Sequence, residues 1–213
     1  MLKKSKHLIV MTLIFSIILA IASFASTSEI LIGPASNDAA FKVAGPDIAN
    51  AVEYGQKITI KDKEIVKITI DSMPTWGPRD ASEEDNSAKI SVFKWDTDYA
   101  TTVAGTAIKT VEINNHADGA KVEIAFDKAQ PAGTYLWVIT EAEAAVGGIG
   151  FWGGSFTSED LTCFVNGVEN NNFVARVKVT VQENTATSDT VVFFAFVVMV
   201  ALATAVARKR VFN

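Results

Sequence analysis

The segment MPTWGPRD places a tryptophan and two charged residues on a stiff stretch of chain with a proline on each side. These prolines exclude the interior of a sheet, because proline cannot donate to a β-ladder. An exposed Trp76 could stack against the apolar face of a pyranose while Arg79 or Asp80 bonds the sugar hydroxyls. The ring could instead fold back as a lid over the edge of the domain. The segment therefore predicts a carbohydrate site, with packing as the alternative.

A second aromatic residue of interest lies in GGIGFWGG, where Phe151 and Trp152 stand among five glycines. On a strand, neighbouring side chains point to opposite faces, so one ring must face the core and the other must face outward. The glycines allow the strand to bend or another backbone to approach closely. An outward Trp152 near Trp76 would form a site with two rings. The sequence leaves open which ring of the pair faces outward.

The motif WDTDY offers Asp96 and Asp98 as two oxygen ligands for a cation. Carboxylates spaced in this way suit a structural Ca²⁺ ion, whose six to eight ligands backbone carbonyls would complete. The alternative is a turn in which each aspartate bonds nearby backbone. Apart from this ion, the sequence predicts no cofactor.

Catalytic chemistry has few candidates in the central part of the chain. His116 is the only histidine there and lies in a polar turn, which disfavours a catalytic triad or a histidine-bound metal. Cys163 lies in an alternating strand, as a small buried apolar residue would. Acidic residues are numerous enough for a glycosidase pair, so this alternative stays open. We nevertheless predict a binding or structural module and not an enzyme.

Alternating apolar and polar residues dominate the middle of the chain, as in β-strands that bury one face. Clusters rich in Gly, Pro, Asn and Asp separate these runs, as turns would. The pattern predicts an all-β fold, an antiparallel β-sandwich or jelly roll of about ten strands. The runs are 28–33, 40–45, 56–60, 63–71, 88–95, 106–113, 120–126, 133–140, 160–167 and 172–182.

Three details of this pattern make further predictions. In KEIVKITID, alternation places Ile68 on one face of the strand and Ile65 on the other. Trp95 and Trp137 lie in alternating runs, and both are predicted to pack. The segment DIANAVEYG, 47–55, is the one helical signal in the central part, of at most two turns.

The two ends of the chain predict export and anchoring. Residues 1–25 combine lysines, an apolar run and a small-residue cleavage site, which is typical of a signal peptide, with an uncleaved anchor as the alternative. Residues 190–207 carry no charge and are long enough to span a membrane. The basic residues of the tail, 208–213, should stay cytoplasmic. The sandwich domain is then 26–182, followed by a polar tether, 183–189, outside the cell.

Charge and cysteine content restrict the partners. Of the 19 Lys and Arg residues, six lie in the end segments, which leaves 13 beside 24 acidic residues and a net charge of about −11. Such a surface disfavours nucleic acid and anionic lipid. A single cysteine excludes an intrachain disulfide, which fits a bacterial surface domain with a sizeable core.

The C-terminal thirty residues resemble the sorting signals of Gram-positive surface proteins, in which a pentapeptide containing Pro-x-Thr-Gly or Pro-x-Thr-Ser precedes an apolar helix and a basic tail. The matching positions are Asn184, Ala186, Thr187 and Ser188, although Thr185 replaces proline and Ser188 replaces the usual glycine. The resemblance implies that sortase joins Thr187 to peptidoglycan. The alternative is a plain single-pass membrane anchor.

About sixty central residues are similar to the jelly-roll accessory modules of secreted bacterial glycoside hydrolases. The similarity lies in FKWDTDY, in PAGTYLW and in GIGFWG. It implies a sandwich fold in a sugar-rich setting. We therefore expect a surface-anchored module that binds a polysaccharide or other glycan through Trp76, Arg79, Asp80 and Trp152. The alternative is a structural or adhesive module that binds another protein, with both tryptophans buried.

Overall fold

The computed structural model describes residues 26–78 and 85–183. Arg79, Asp80, the tether from Asn184 onward and both predicted membrane-targeting segments lie outside the described residues. Within the described part, Thr27–Gln182 form one compact unit, and the rest of the chain is described only at Ser26 and Glu183. The predicted domain limits at the two ends therefore stay predictions.

The described residues form fourteen strands and one α-helix, α1 (Tyr99–Ala104). The strands are β1 (Thr27–Ile32), β2 (Ala39–Ala44), β3 (Tyr54–Ile60), β4 (Lys63–Met73), β5 (Thr75–Trp76), β6 (Asn86–Lys94), β7 (Lys109–Asn114), β8 (Ala120–Gln130), β9 (Gly133–Ala144), β10 (Gly148–Gly154), β11 (Leu161–Val165), β12 (Val168–Glu169), β13 (Val174–Ala175) and β14 (Val177–Glu183).

These strands make two layers. One layer is a six-stranded antiparallel sheet of order β12-β11-β3-β9-β6-β7, called sheet C. The other layer holds a sheet of order β1-β14-β4-β8 and a smaller one of order β13-β10-β2, to which β5 adds on β10. Only Pro74 separates β4 from β5, and only Arg176 separates β13 from β14, so the chain passes directly between these two sheets.

The main core lies between the layers and contains apolar side chains from both. Tyr54, Trp137 and Phe151 meet at its centre: the ring of Tyr54 lies 5.5 Å from that of Trp137 and 5.4 Å from that of Phe151. All three residues are fully buried. Burial of each such ring contributes about 1.5–3 kcal/mol, which makes this aromatic cluster a main source of stability. The prediction that Trp137 packs in the core is confirmed.

The prediction of an all-β, antiparallel fold is confirmed, with more strands among the described residues than expected. The additional strands β5, β12 and β13 have two residues each. Runs this short show no alternation, so a periodic pattern does not reveal them. Among the described residues, no helix is long and apolar enough to cross a membrane, and the predicted spanning segment 190–207 lies outside them.

A register shift corrects the predicted faces of β4. Ile65 pairs with Gln130 and Lys67 pairs with Ala125, so the ladder is irregular between them. Ile65 is fully buried in the main core, as is Ile68. The prediction that these two face opposite ways is wrong, because strict alternation assumes a strand without a bulge.

The helical prediction is also corrected. Residues 47–55 form turns and then enter β3 at Tyr54, without a helix. The helix lies instead at α1, in the part of the motif after WDTD. Asp98 is its N-cap, and its carboxylate accepts a hydrogen bond of 2.8 Å from the backbone N–H of Thr101.

Helix α1 covers part of the outward face of sheet C and forms a second, smaller core there. Its Tyr99 packs with Phe164 at 4.8 Å between ring centroids. Trp95 stacks on the same Phe164 at 5.7 Å and is only partly buried. The expected packing of Trp95 is therefore real, but it occurs on the outward face, which Phe93 two residues earlier also faces.

Candidate functional site

Strand β10 separates the Phe-Trp pair as alternation requires. Phe151 points into the main core and has no exposed surface. Trp152 lies on the opposite face and is partly exposed. The question that the sequence left open is therefore settled: Trp152 is the outward ring.

Trp76 lies on the same outward face of β10. It pairs directly with Gly148 across the β5–β10 ladder, so the two residues share a face. Gly148 and Trp152 are four residues apart on one strand and also share a face. At the rise of a strand, this places the two tryptophan positions about 13 Å apart along β10. Trp76 is also partly exposed.

Between the two tryptophans the strand carries only glycine on this face. Gly148 and Gly150 carry no side chain but are themselves buried, and Lys42 on β2 pairs with Gly150. A Cβ atom at Gly148 would lie 2.8 Å from Cδ of Lys42, so the stem of this lysine occupies the space that a side chain would take. The strand between the two rings is thus covered by the stem of Lys42, and its glycines are buried.

Lys42 also contacts the ring of Trp76. Its Nζ lies 5.5 Å from the centroid of the Trp76 ring, within the range of a cation–π contact. The same Nζ lies 2.9 Å from Oδ1 of Asp47. This hydrogen bond lowers the pKa of the Asp47 carboxyl below its ordinary value. The Asp47 carboxyl is therefore ionised at neutral pH.

Arg176 stands beside the second ring. Its backbone N–H donates to the carbonyl of Trp152 at 3.0 Å, and the neighbouring Ala175 pairs with Gly153. These bonds place Arg176 directly opposite Trp152. Its guanidinium Nη1 lies 3.5 Å from Asp71 on β4. We call the surface formed by Lys42, Trp76, Trp152 and Arg176 the tryptophan face.

The structure brings two of the four predicted ligand-binding residues onto one surface, Trp76 and Trp152. The other two, Arg79 and Asp80, lie outside the described residues. Sequence reasoning missed Lys42 and Arg176, although both lie in alternating runs, AFKVAG and NFVARVKVTVQ. Their outward position follows from alternation, but their closeness to the tryptophans depends on which strands become neighbours.

The predicted calcium ligands Asp96 and Asp98 lie together before α1. Asp98 binds the backbone of Thr101, and Oδ1 of Asp96 accepts the hydroxyl of Thr97 at 3.0 Å. The hydrogen bond from Thr101 lowers the pKa of the Asp98 carboxyl. Among the residues that the structure describes, no three His, Cys, Asp or Glu side chains gather as a metal site would need. The calcium ion stays a prediction, and the bonds seen are those of the alternative turn.

Cys163 lies deep in the main core. It has no exposed surface, and burial raises the pKa of its thiol to about 11. The Tyr54 hydroxyl donates to its Sγ at 3.3 Å. A protonated thiol of this kind is a poor nucleophile. His116 is also buried, with its backbone N–H bound to the side chain of Asn86 at 2.9 Å.

No protein-family model and no curated protein matches this chain. Among solved structures, it is similar to an exo-β-1,3-galactanase from Phanerochaete chrysosporium, solved with β-1,3-galactotriose. The identity is 10% and the TM-score is 0.28, and the match covers 61% of this chain and 27% of the galactanase chain. A likeness this distant carries no argument about a site, so the functional case rests on the tryptophan face.

Proposed function

We propose that this chain is a non-catalytic carbohydrate-binding module held at the outer surface of a bacterial cell. One observation supports the proposal above the others. Trp76 and Trp152 lie partly exposed on one outward face of β10, with the stem of Lys42 over the glycines between them. The fold agrees with the resemblance to jelly-roll accessory modules, and membership of that family stays part of the proposal.

The physical case for a sugar ligand lies in the shape and chemistry of this face. The C–H bonds of a pyranose form an apolar surface that stacks well on an indole ring, whereas the hydroxyls around it need polar partners. Two tryptophan positions about 13 Å apart along β10 suit an extended chain of several sugar units better than a single compact ligand. Between the rings the stem of Lys42 covers the glycines, so a sugar chain would contact this lysine there.

Polar partners lie where the sugar hydroxyls would be. The ion pair of Lys42 and Asp47 borders Trp76, and its exposed carboxylate has 65% of its surface open to solvent. Arg79 and Asp80 follow Trp76 by three and four positions in the sequence, so we include them in the proposed site. Charged groups form shorter and stronger hydrogen bonds than neutral ones, which suits them for the binding of hydroxyls.

A second candidate function, the binding of another protein, has its own observation. A groove of about 320 Å³ opens beside β1, and Leu31 and Phe156 stand exposed at its walls. Strand β1 pairs with β14 on one side and is an edge of its sheet, which offers backbone groups to an added strand. This alternative predicted that Trp76 and Trp152 would both be buried, and neither is.

The location of the module is part of the same proposal. A signal peptide in 1–25 would export the sandwich, and the apolar segment 190–207 would hold it at the membrane. Attachment to peptidoglycan would use Thr187, with Asn184 and Ser188 as flanking positions of the sorting signal. Mass spectrometry of wall digests tests this step, because sortase leaves a cross-linked peptide that ends at Thr187.

Binding is tested with full-length protein, purified in detergent, on a glycan array and by affinity electrophoresis with polysaccharides. Trp76→Ala and Trp152→Ala should each lower the affinity about tenfold or more, which corresponds to the loss of about 1.4 kcal/mol of stacking. Trp95→Ala is the matched control, because Trp95 is also a partly buried tryptophan but lies on the outward face of sheet C.

Two results would contradict the proposal. One is no binding to any plant, host or bacterial wall glycan. The other is binding that Trp76→Ala and Trp152→Ala leave unchanged. Binding lost in Trp95→Ala but kept in the other two variants would move the site to the opposite layer of the sandwich.

A further inference from the structure

The guanidinium of Arg176 has more donors than the described residues use. Its Nε is buried without a hydrogen-bond partner among them, and its ion pair with Asp71 is long, at 3.5 Å. Asp71 has a closer partner in Lys178, whose Nζ lies 3.1 Å from it. A buried donor without a partner costs free energy, because it has lost its hydrogen bond to water. Arg176 is thus a cation whose side chain is poorly satisfied, next to an outward tryptophan.

The charge around this ring differs from that of the domain as a whole. The segment between the two ends carries a net charge of about −11. Beside Trp152, however, Arg176 and Lys178 share a single carboxylate, Asp71, so these three groups together carry a formal charge of +1. Elsewhere on this face Lys42 is matched by Asp47, and Asp38 and Asp118 add carboxylates beside Gly154 and Thr75. A carboxylate of a sugar stacked on Trp152 would therefore meet a surplus cation on a protein that is acidic as a whole.

We propose that the ligand of the tryptophan face is an acidic glycan, one whose sugars carry carboxylates. In this arrangement one sugar ring stacks on Trp152, and its carboxylate accepts hydrogen bonds from the guanidinium of Arg176. The planar fork of arginine matches the two oxygens of a carboxylate, which a lysine does not. Lys42 provides a second cation beside Trp76 for a carboxylate further along the chain. This inference rests on the proposed function and names its ligand class.

The test compares each acidic polysaccharide with its own neutral form. Polygalacturonate, alginate and hyaluronan are offered to the full-length protein beside their carboxyl-esterified derivatives, which keep the sugar backbone and lose the charge. We expect at least one acidic polymer to bind roughly ten- to a hundredfold more tightly than its ester, as a charged hydrogen bond would give. The preference should weaken as salt is raised, because the pairs are partly exposed.

Three variants connect the preference to Arg176. Arg176→Gln should lower the affinity for the acidic polymer roughly ten- to a hundredfold and the affinity for its ester much less, which removes most of the preference. Asp71→Asn removes the carboxylate that competes for the guanidinium and should tighten binding of the acidic polymer several-fold. Lys57→Gln is the matched control, because Lys57 also lies over a tryptophan, at 4.7 Å from the Trp95 ring, but on sheet C. Lys57→Gln should change neither the affinity for the acidic polymer nor that for its ester.

The outcomes separate this inference from the proposed function. Binding that depends on Trp76 and Trp152 but is equal for every polymer and its ester overturns the acidic ligand and leaves carbohydrate binding in place. The acidic ligand is also overturned if a folded Arg176→Gln variant loses the same affinity for the acidic polymer as for its ester. Arg176 would then contribute to the shape of the site and not to recognition of the carboxylate. No binding to any glycan overturns both.

Discussion

The two outward faces of the sandwich carry similar side chains, but these side chains have different surroundings. Each carries partly buried tryptophan and a lysine over its ring: Lys42 over Trp76 on one face, and Lys57 over Trp95 on the other. On sheet C, helix α1 and Phe164 join Trp95 in a small core. Around β10, the described residues place glycine between the rings and no helix over them.

This difference shows that a tryptophan with a cation above it does not by itself mark a binding site. On sheet C the same pair stabilises the attachment of a short helix. What distinguishes the tryptophan face is that no helix of the described residues packs over its rings, and that only glycines of β10 and the stem of Lys42 lie between them. A candidate site on a sandwich is therefore recognised by what lies between and above its aromatic residues.

The largest expected effect compares adjacent residues that face opposite ways. Phe151→Ala removes a fully buried ring from the main core and should lower the free energy of unfolding by about 3–5 kcal/mol. Trp152→Ala removes a partly exposed ring and should cost less than about 2 kcal/mol of stability. Chemical denaturation of both variants measures the difference. Equal losses would mean that Trp152 is also a core residue, and the comparison of faces would fail.

The next effect concerns the glycine that adjoins β5. Gly147 has a φ of 78°, and a Cβ there would collide with the backbone carbonyl of Trp76. Gly147→Ala should therefore lower stability by about 3 kcal/mol and weaken glycan binding, because β5 must move and carry Trp76 with it. Denaturation and affinity electrophoresis measure the two effects.

Gly119→Ala is the control for this substitution. Gly119 also has a positive φ, of 70°, but a Cβ there would approach nothing closer than Oγ of Ser72, at 3.5 Å. Gly119→Ala should lower the free energy of unfolding by about 1 kcal/mol, which is the cost of a positive φ at a residue with a side chain, and leave glycan binding unchanged. If both variants lost the same stability, the contact of Gly147 with β5 would not matter.

Trp95→Ala should have a moderate effect on stability alone. The stack of Trp95 on Phe164 is worth about 1–2 kcal/mol, since the ring is only partly buried. Trp76→Ala should show the reverse pattern, with little change in stability and a large change in affinity. Thermal unfolding and glycan binding are measured on both variants. If the two faces have different roles, Trp95→Ala loses mainly stability and Trp76→Ala loses mainly affinity. Parallel losses in both measurements would contradict this division.

Local sequence pattern predicted the strands well and their partners poorly. Alternation identified β9, with Trp137 in the core, and required the pair of Phe151 and Trp152 to divide between two faces. It failed at Ile65, where a bulge changes the face of the side chain. It also failed at α1, because this helix is short and its N-cap, Asp98, also resembles a metal ligand.

The candidate site was predictable in its aromatic residues only. Trp76 and Trp152 stand out by type and by their glycine and proline neighbours. Arg176 and Lys42 come to them through long-range strand pairing, in which β13 and β2 flank β10. Periodicity gives the face of a residue along its own strand, but it contains no information on which strand lies next to it.

The smallest expected effect concerns the helix that covers sheet C. The N-cap bond from Thr101 lowers the pKa of Asp98 in the folded protein, so the ionised carboxylate stabilises α1 above the unfolded pKa, near 4. This contribution is lost as the pH falls through the lower, folded pKa. Asp98→Asn keeps a capping oxygen without the charge. The melting temperature of the wild type should therefore slightly exceed that of the variant at pH 7, and the difference should vanish on acidification.

The Asp98→Asn variant also distinguishes the two faces. Fluorotryptophan NMR gives one signal for each of the four tryptophans. If α1 is what holds Trp95, then Asp98→Asn should shift the Trp95 signal and leave those of Trp76 and Trp152 in place. A shift of all three signals would mean that the cap acts through the whole sandwich. The stabilising role of α1 would then extend to both faces, and their separation into a packed face and a binding face would not hold.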